Sequence, residues 1–310
     1  MRSIVVVAVA AACHGHAFEF HDAFVAVDAP MQDGAGPGGG LVDDLRFAIV
    51  GDTRPSVIDD TSHYPTDVAQ TIWSEVAAMS PAPRFAVTTG DYMFASTTGH
   101  EQDPQLDLYL GARTAYPGFV YPAYGNHECT GDTASNCGDG AQDGVTANYS
   151  AFLARMAAPI GETAPYFIER FAASDGSWSA KFVFVAPNAW NDVQAAWLDA
   201  VLSQPTTYTF VVRHEASVVT ITPGVMASGT IIAKHPLTLI IAGHEHTYRH
   251  DPTTKEIVVG NGGAPLTTAV DYGFAIIARQ PDGSLQATAY DYATHAAIDQ
   301  FSIDASGASL

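Results

Sequence analysis

Five stretches of this chain end in side chains that can bind a metal or move a proton. Asp52 closes FAIVGD and Asp91 closes RFAVTTGD. Asn126 and His127 follow FVYPAYG, His214 ends YTFVVRH, and His244 and His246 follow LTLIIAG. A single Asp after a strand usually caps or turns the chain, and a single His usually sits in a core or on a surface. Five such ends in series, all offering oxygen or imidazole and none a thiolate, instead form a ligand set for a hard or borderline divalent cation. Arg54 stands two residues after Asp52. Its guanidinium is permanently charged and has no lone pair for a metal. It either holds an anionic oxygen of a substrate or balances a neighbouring carboxylate, since both uses exploit the planar fork of donors.

Converging these groups requires parallel strands whose carboxyl ends share one rim, because ligands of open α/β sheets bind there. From Leu45 onward the pattern alternates accordingly. RFAIV and RFAVTTGD read as strands, with a helical spacing of apolar residues between them at 67–79. FVYPAYGNHE (119–128) brings a third strand to a polar end, and a helical stretch follows near 147–157. PYFIERFAA and AKFVFVAP read as paired strands, and DVQAAWLDAVL (192–202) as an amphipathic helix before the His214 strand. The tail reads as a β-rich meander with a Pro-Asp-Gly turn. No internal repeat is visible. The pattern predicts an α/β core followed by further strands.

The 310 residues carry a formal charge of −20 with only 13 Lys and Arg. No cationic footprint for a nucleic acid is present, and none is expected as a partner. Residues 1–13, MRSIVVVAVAAAC, combine Arg2, a short apolar run and small residues, which predicts a signal peptide rather than a membrane span. Cys13 after three alanines is a candidate lipidation site, which would tether the chain to a membrane. The alternative is plain cleavage. Residues 14–45, with DGAGPGGG at 33–40, are expected to be a flexible acidic and Gly-rich linker, and 46–310 a single domain. His14, His16 and His21 on that linker are expected to be solvated. Cys129 and Cys137 bracket a polar loop short enough for a disulfide in an oxidising compartment. GNGGAP at 260–265 lacks the Lys-Ser/Thr of a phosphate loop and is expected to be a glycine-lined turn near the metal site. No G-x-S-x-G or H-E-x-x-H is present.

In order and spacing, GDTR, GDYMF, GNHE, VVRHE and GHEH resemble the signature of the calcineurin-like metallophosphoesterases across residues 45–290. That resemblance implies a β-sandwich of two mixed sheets flanked by α-helices. It implies one or two divalent ions (Mn, Fe, Zn or Ca) and hydrolysis of phosphomonoester or phosphodiester bonds of a small substrate by metal-activated hydroxide. Asp91 would bridge both ions. Asn126, His214 and His244 would complete one site, and Asp52 and His246 the other. His127 would assist the leaving oxygen, with Glu128 orienting it by a hydrogen bond. In an extended GHEH segment both histidines would point one way.

The first motif departs from the family pattern, which has His where this chain has Arg54. Purple acid phosphatases of the same superfamily also lack that His but add a Tyr three residues after the second-motif Asp; here that position is Phe94. Water, His63 or His100 is expected to fill the remainder of the first site. The missing ligand motivates an alternative, a metal- or phosphate-binding surface module without hydrolysis. Segment 92–120 and the Cys129–Cys137 loop are the expected specificity elements. The implied localisation is exported: periplasmic, outer-membrane lipoprotein or secreted.

Overall fold

Along RFAIV, Phe47 and Ile49 face one cluster of buried side chains while Ala48 and Val50 face another, and all four are fully buried. A strand buried on both faces needs a layer on each side, and the fold supplies a second sheet on one and helices on the other. The computed structural model describes residues 31–96, 98–130, 136–137 and 146–310. Cys13, the signal-like segment and His14, His16 and His21 lie outside these residues.

In chain order the elements are β1 (Gly39–Leu41), β2 (Arg46–Val50), α1 (Thr66–Ala78), β3 (Phe85–Thr88), α2 (Gln102–Arg113), β4 (Phe119–Pro122) and α3 (Ala147–Phe152). Then follow β5 (Phe167–Ala172), β6 (Ser179–Val185), α4 (Asp192–Leu202), β7 (Tyr208–Glu215), α5 (Pro223–Ile232) and β8 (Leu239–Gly243). β9 (Tyr248–Asp251), β10 (Glu256–Val259), β11 (Gly273–Arg279), β12 (Leu285–Asp291) and β13 (Ala297–Ile303) complete the chain. One sheet has the order β1-β5-β6-β7-β8-β10-β9 and the other β13-β12-β11-β2-β3-β4. Both are mixed: β2, β3 and β4 run parallel, as do β6, β7 and β8, and antiparallel strands extend each set. This is the expected sandwich of two mixed sheets with flanking helices.

The tail divides between the sheets. β10 pairs parallel to β8, whereas β11 to β13 form an antiparallel meander joined to β2. The β11–β12 hairpin turns at Pro281-Asp282-Gly283, where Gly283 adopts φ 88° and its N–H donates to Gln280 O at 2.9 Å.

Phenylalanines fill the space between the sheets. Phe47 lies 4.8 Å edge-on from Phe182 and 5.2 Å from Phe210, and Phe85 stacks on Phe171 at 4.0 Å. Each such ring removed from water contributes about 2 kcal/mol, so the sandwich anchors the rim above it. α1 covers the outer face of β2 and β3 with Ile72, Trp73 and Val76. α4 packs on β6. Asn191 caps its N-terminus by accepting from Gln194 N at 2.7 Å, and Lys181 Nζ donates to the Val201 and Leu202 carbonyls at its other end.

The expected linker 14–45 is corrected over residues 31–45, which are built into the fold. β1 runs parallel to β5, pairing Gly39 with Arg170. Glycine makes this contact possible: a Cβ on Gly39 would lie 1.8 Å from the Arg170 carbonyl oxygen, and its φ is 94°. Composition suggests flexibility here because it does not reveal that the missing side chains allow close backbone approach.

Candidate metal centre

Every predicted ligand stands just beyond or at the carboxyl end of a parallel strand. Asp52 follows β2, Asp91 follows β3, Asn126 follows β4, His214 lies in β7, and His244 and His246 follow β8. Asp52, Asp91, Asn126 and His214 are at most 1% exposed. Asp52, Asp91, His244 and His246 all have positive φ, at 58°, 58°, 69° and 45°. Non-glycine residues rarely adopt this conformation, and it concentrates at functional sites. Space for the carboxylates comes from glycine: a Cβ on Gly243 would lie 2.3 Å from Asp52 Oδ2.

Two groups of donors result, sharing Asp91. In the first, His214 Nε2 is 2.9 Å from Asn126 Oδ1, 3.1 Å from His244 Nδ1 and 3.2 Å from Asp91 Oδ1, and His244 Nδ1 is 3.1 Å from Asn126 Oδ1. The Thr89 carbonyl lies 2.8 Å from His214 Nδ1. A carbonyl can only accept, so Nδ1 carries the hydrogen and Nε2 faces the other donors. The second group is Asp52, Asp91 and His246, whose ligand atoms lie within 4.8 Å of one another. The Pro265 carbonyl accepts from His246 Nδ1 at 2.9 Å, which turns its Nε2 inward.

The electrostatics suit a cation. Burial and the charge of Asp91 push the Asp52 carboxyl well up, against the pull of His214. Burial also opposes ionisation of Asp91, but the imidazoles of His214 and His127 hold it well below the usual carboxylate range. His214 is raised despite burial because Asp91 faces it. Burial, and then the charge of His214, lowers His244 to about 3, leaving it neutral and able to ligate. The donor set of the first group therefore fits a divalent ion: one carboxylate, one amide oxygen and two imidazoles, with the Thr89 carbonyl fixing the tautomer of His214.

Three expectations are corrected. GHEH is not extended; its two left-handed histidines send His244 to the first group and His246 to the second. The Glu128 carboxylate does not hydrogen-bond to the His127 ring. Its Oε2 accepts from the backbone N–H of Asp91 and of Gly125, both at 2.9 Å, and its Oε1 accepts from Tyr92 N at 2.9 Å. His63 and His100 do not join the site: His63 pairs with Asp60 at 2.8 Å and is 80% exposed, and His100 is exposed.

His127 is buried beside the centre, with Nε2 3.6 Å from Asp91 Oδ2 and Nδ1 lacking a partner. Burial, with help from Arg54, lowers its pKa to about 3 although Asp91 pulls the other way, so the ring is neutral. Phe94 meets it edge-on at 4.3 Å, and Asn148 Nδ2 donates to its carbonyl at 3.1 Å. Asn148 and Thr89 are supports that the sequence left unmarked, and the packing role of Phe94 was not legible there either. GNGGAP carried a signal: that turn lies beside the centre, its Pro265 carbonyl holds His246, and Gly262 N donates to Gly51 O at 2.8 Å and Ala264 N to Asp52 O at 2.7 Å. Arg213 faces away from the centre, buried against Glu256 at 3.5 Å. Cys129 and Cys137 are joined by a disulfide.

No protein-family model and no curated protein matches the chain. Among solved structures, a purple acid phosphatase from yellow lupin (Lupinus luteus) seeds superposes with a TM-score of 0.61 at 15% identity, over 84% of this chain and 54% of the lupin chain. The fold is the calcineurin-like metallophosphoesterase fold. A dimetal phosphatase from Danio rerio superposes with a TM-score of 0.55 at 14% identity, over 85% of this chain and 100% of the other. The chain thus spans about half the length of the lupin protein (54%) and the whole of the fish one.

A cleft of about 600 Å³ opens beside His244, lined by Glu245, Tyr248, Arg249, Thr267 and Thr268 among others. It is built from the segments after β8 and around 267–270.

Proposed function

We propose that the chain is an exported metal-dependent phosphoric ester hydrolase acting on small phosphomonoesters or phosphodiesters. The observation that carries this reading is the convergence of Asn126 Oδ1, His214 Nε2 and His244 Nδ1 within 3.1 Å of one another, with Asp91 Oδ1 3.2 Å from His214 Nε2. Asp91, Asn126, His214 and His244 would hold the ion, which when bound supplies Lewis acidity toward a phosphoryl oxygen and a water nucleophile at neutral pH. Thr89 O holds the His214 ring so that its lone pair faces inward. His127, neutral and enclosed by Phe94, would carry its hydrogen at Nε2, the nitrogen facing Asp91, and donate a hydrogen bond that stabilises charge on the leaving oxygen. The cleft beside His244 would take the alcohol portion of the substrate.

The signal-like residues 1–13 support export, and the Cys129–Cys137 disulfide is consistent with an oxidising compartment. Cys13 would serve as the lipid tether. Cell fractionation of the full chain and of Cys13→Ser tests this: the variant should leave the membrane fraction.

The enzymatic reading is tested with p-nitrophenyl phosphate and bis-p-nitrophenyl phosphate in the presence of Mn, Fe, Zn or Ca. Turnover should disappear on chelation and in Asp91→Asn. Tight metal binding with no turnover on either ester would replace this reading with a non-hydrolytic binding module.

A further inference from the structure

The two donor groups differ in one respect. At the ligand atoms of the first, Asp91 Oδ1, Asn126 Oδ1, His214 Nε2 and His244 Nδ1, no guanidinium bond is present among the described residues. In the second a guanidinium already uses the ligand atoms. Arg54 Nη2 is 3.2 Å from His246 Nε2, and Arg54 Nε is 3.4 Å from Asp91 Oδ2. His246 gives its Nδ1–H to the Pro265 carbonyl, so Nε2 holds its one lone pair. That lone pair can accept from Arg54 or bind a metal, but not both.

The guanidinium is fixed where it stands. Its Nη1 donates to Pro55 O at 3.0 Å, and its Cζ lies 4.7 Å above the Phe94 ring. Arg54 is largely buried, with 13% of its side chain exposed. A divalent ion between Asp52, Asp91 and His246 would meet this permanent positive charge at close range, in a site screened from water. The residues of the second group therefore do not fit a metal while Arg54 holds this position. Two departures noted in the sequence become one device: the ring at 94, which cannot ligate, is the platform for the cation at 54.

We infer that Arg54 takes the place of one of the two metals, so that the centre binds a single divalent ion at Asp91, Asn126, His214 and His244. This rests on the reading of the site as metal-dependent. Three of the five guanidinium N–H groups are engaged, by Asp91, Pro55 and His246, and two remain for an oxygen of an anionic substrate.

The test is metal stoichiometry, read without turnover. The purified full chain is loaded with Mn(II) and examined by native mass spectrometry and electron paramagnetic resonance. Wild type should take up one equivalent with the six-line spectrum of an isolated ion. Arg54→His, which returns a neutral ligand, should take up a second and show an exchange-coupled spectrum. Arg54→Lys should stay at one. Two equivalents with a coupled spectrum in wild type would overturn the inference while leaving the metal-dependent reading intact. No bound metal in wild type would overturn both. An Arg54→His variant that stays at one equivalent while folded, as judged by its melting curve, also counts against the substitution of Arg54 for a metal.

Discussion

Glu128 is the position at which the structure turns a sequence motif into a quantity. Its carboxylate accepts three backbone N–H groups, from Asp91, Tyr92 and Gly125, each at 2.9 Å, and it is fully buried. Burial, with the charge of Asp91, raises its pKa to about 7, so all three acceptor bonds are best satisfied above that pH. In Glu128→Gln the amide oxygen can keep the two donors at the Oε2 position, but its NH₂ then faces Tyr92 N–H, donor against donor. One orphaned buried N–H costs about 1–3 kcal/mol, and weakening two charge-assisted bonds to neutral ones removes about 1 kcal/mol each. The sum is about 3–5 kcal/mol. For a domain of this size that lowers Tm by on the order of 10 °C. Glu128→Ala leaves all three amides without an acceptor and should cost about 3–9 kcal/mol, of the order of the whole folding stability.

Because two of the three amides belong to Asp91 and to the residue before Asn126, the effect reaches the metal. Affinity for Mn(II) in Glu128→Gln should fall on the order of tenfold or more, as for other groups that orient ligands. Thermal melts at pH 8 with chelator present measure the first effect, and calorimetric titration measures the second. Amide hydrogen exchange at Asp91, Tyr92 and Gly125 reports whether those bonds have loosened. A Glu128→Gln variant that melts within about 2 °C of wild type, with unchanged exchange at all three amides, would refute the clamp.

Elsewhere, Glu169 on β5 is fully buried, and burial, with the charge of Glu162, raises its pKa well above the ordinary value against the pull of Arg170 and the backbone N–H of Gly38. Its protonated form therefore contributes stability that is complete below about pH 4.3 and is lost as pH rises through the folded-state value. Glu169→Gln should match wild type near pH 4 and melt higher at pH 8, and a flat difference across pH in paired melts would contradict this. Replacing both Cys129 and Cys137 by Ser opens a bridge across a sequence separation of 8 and should cost about 2–3 kcal/mol in urea denaturation. Gly39→Ala places a methyl against the Arg170 carbonyl at positive φ and should cost more than about 1 kcal/mol. Limited proteolysis should then cut near β1 while the remainder stays protected.

The candidate metal ligands were legible because each ends an apolar run, and strand ends of a parallel set share a rim by geometry alone. What surrounds them was not legible. The link from Glu128 to Asp91 N spans 37 residues and depends on how two loops fold back, which no spacing encodes. GHEH invited a period-two reading that assumes extended backbone, and the left-handed turns at His244 and His246 remove that assumption. Composition likewise misread DGAGPGGG, since the same glycines that make a free chain flexible permit β1 to lie against Arg170. β10 and β11 are both apolar strands, so sequence alone could not assign them to different sheets.

The backbone at the centre shows which property of these residues the fold retains. Four non-glycine residues in the left-handed region, at about 1–3 kcal/mol each, together cost on the order of the stability of a whole domain. Glycine at any of the four would relieve that strain, so backbone geometry alone favours glycine there. The strain persists because the surrounding bonds over-determine it: Asp52 N donates to Gly90 O, Thr53 N to Asp91 O, and Ala264 N to Asp52 O, above a phenylalanine-filled sandwich. The side chains of Asp52, Asp91, His244 and His246 are therefore what the strained turns serve to present. Arg54, two residues beyond the first of these turns, reaches back to a carboxylate and an imidazole that two of the others present. A guanidinium held there by a rigid rim is a fixed charge rather than a mobile counter-ion, and that fixity is what suits it to stand where a metal would.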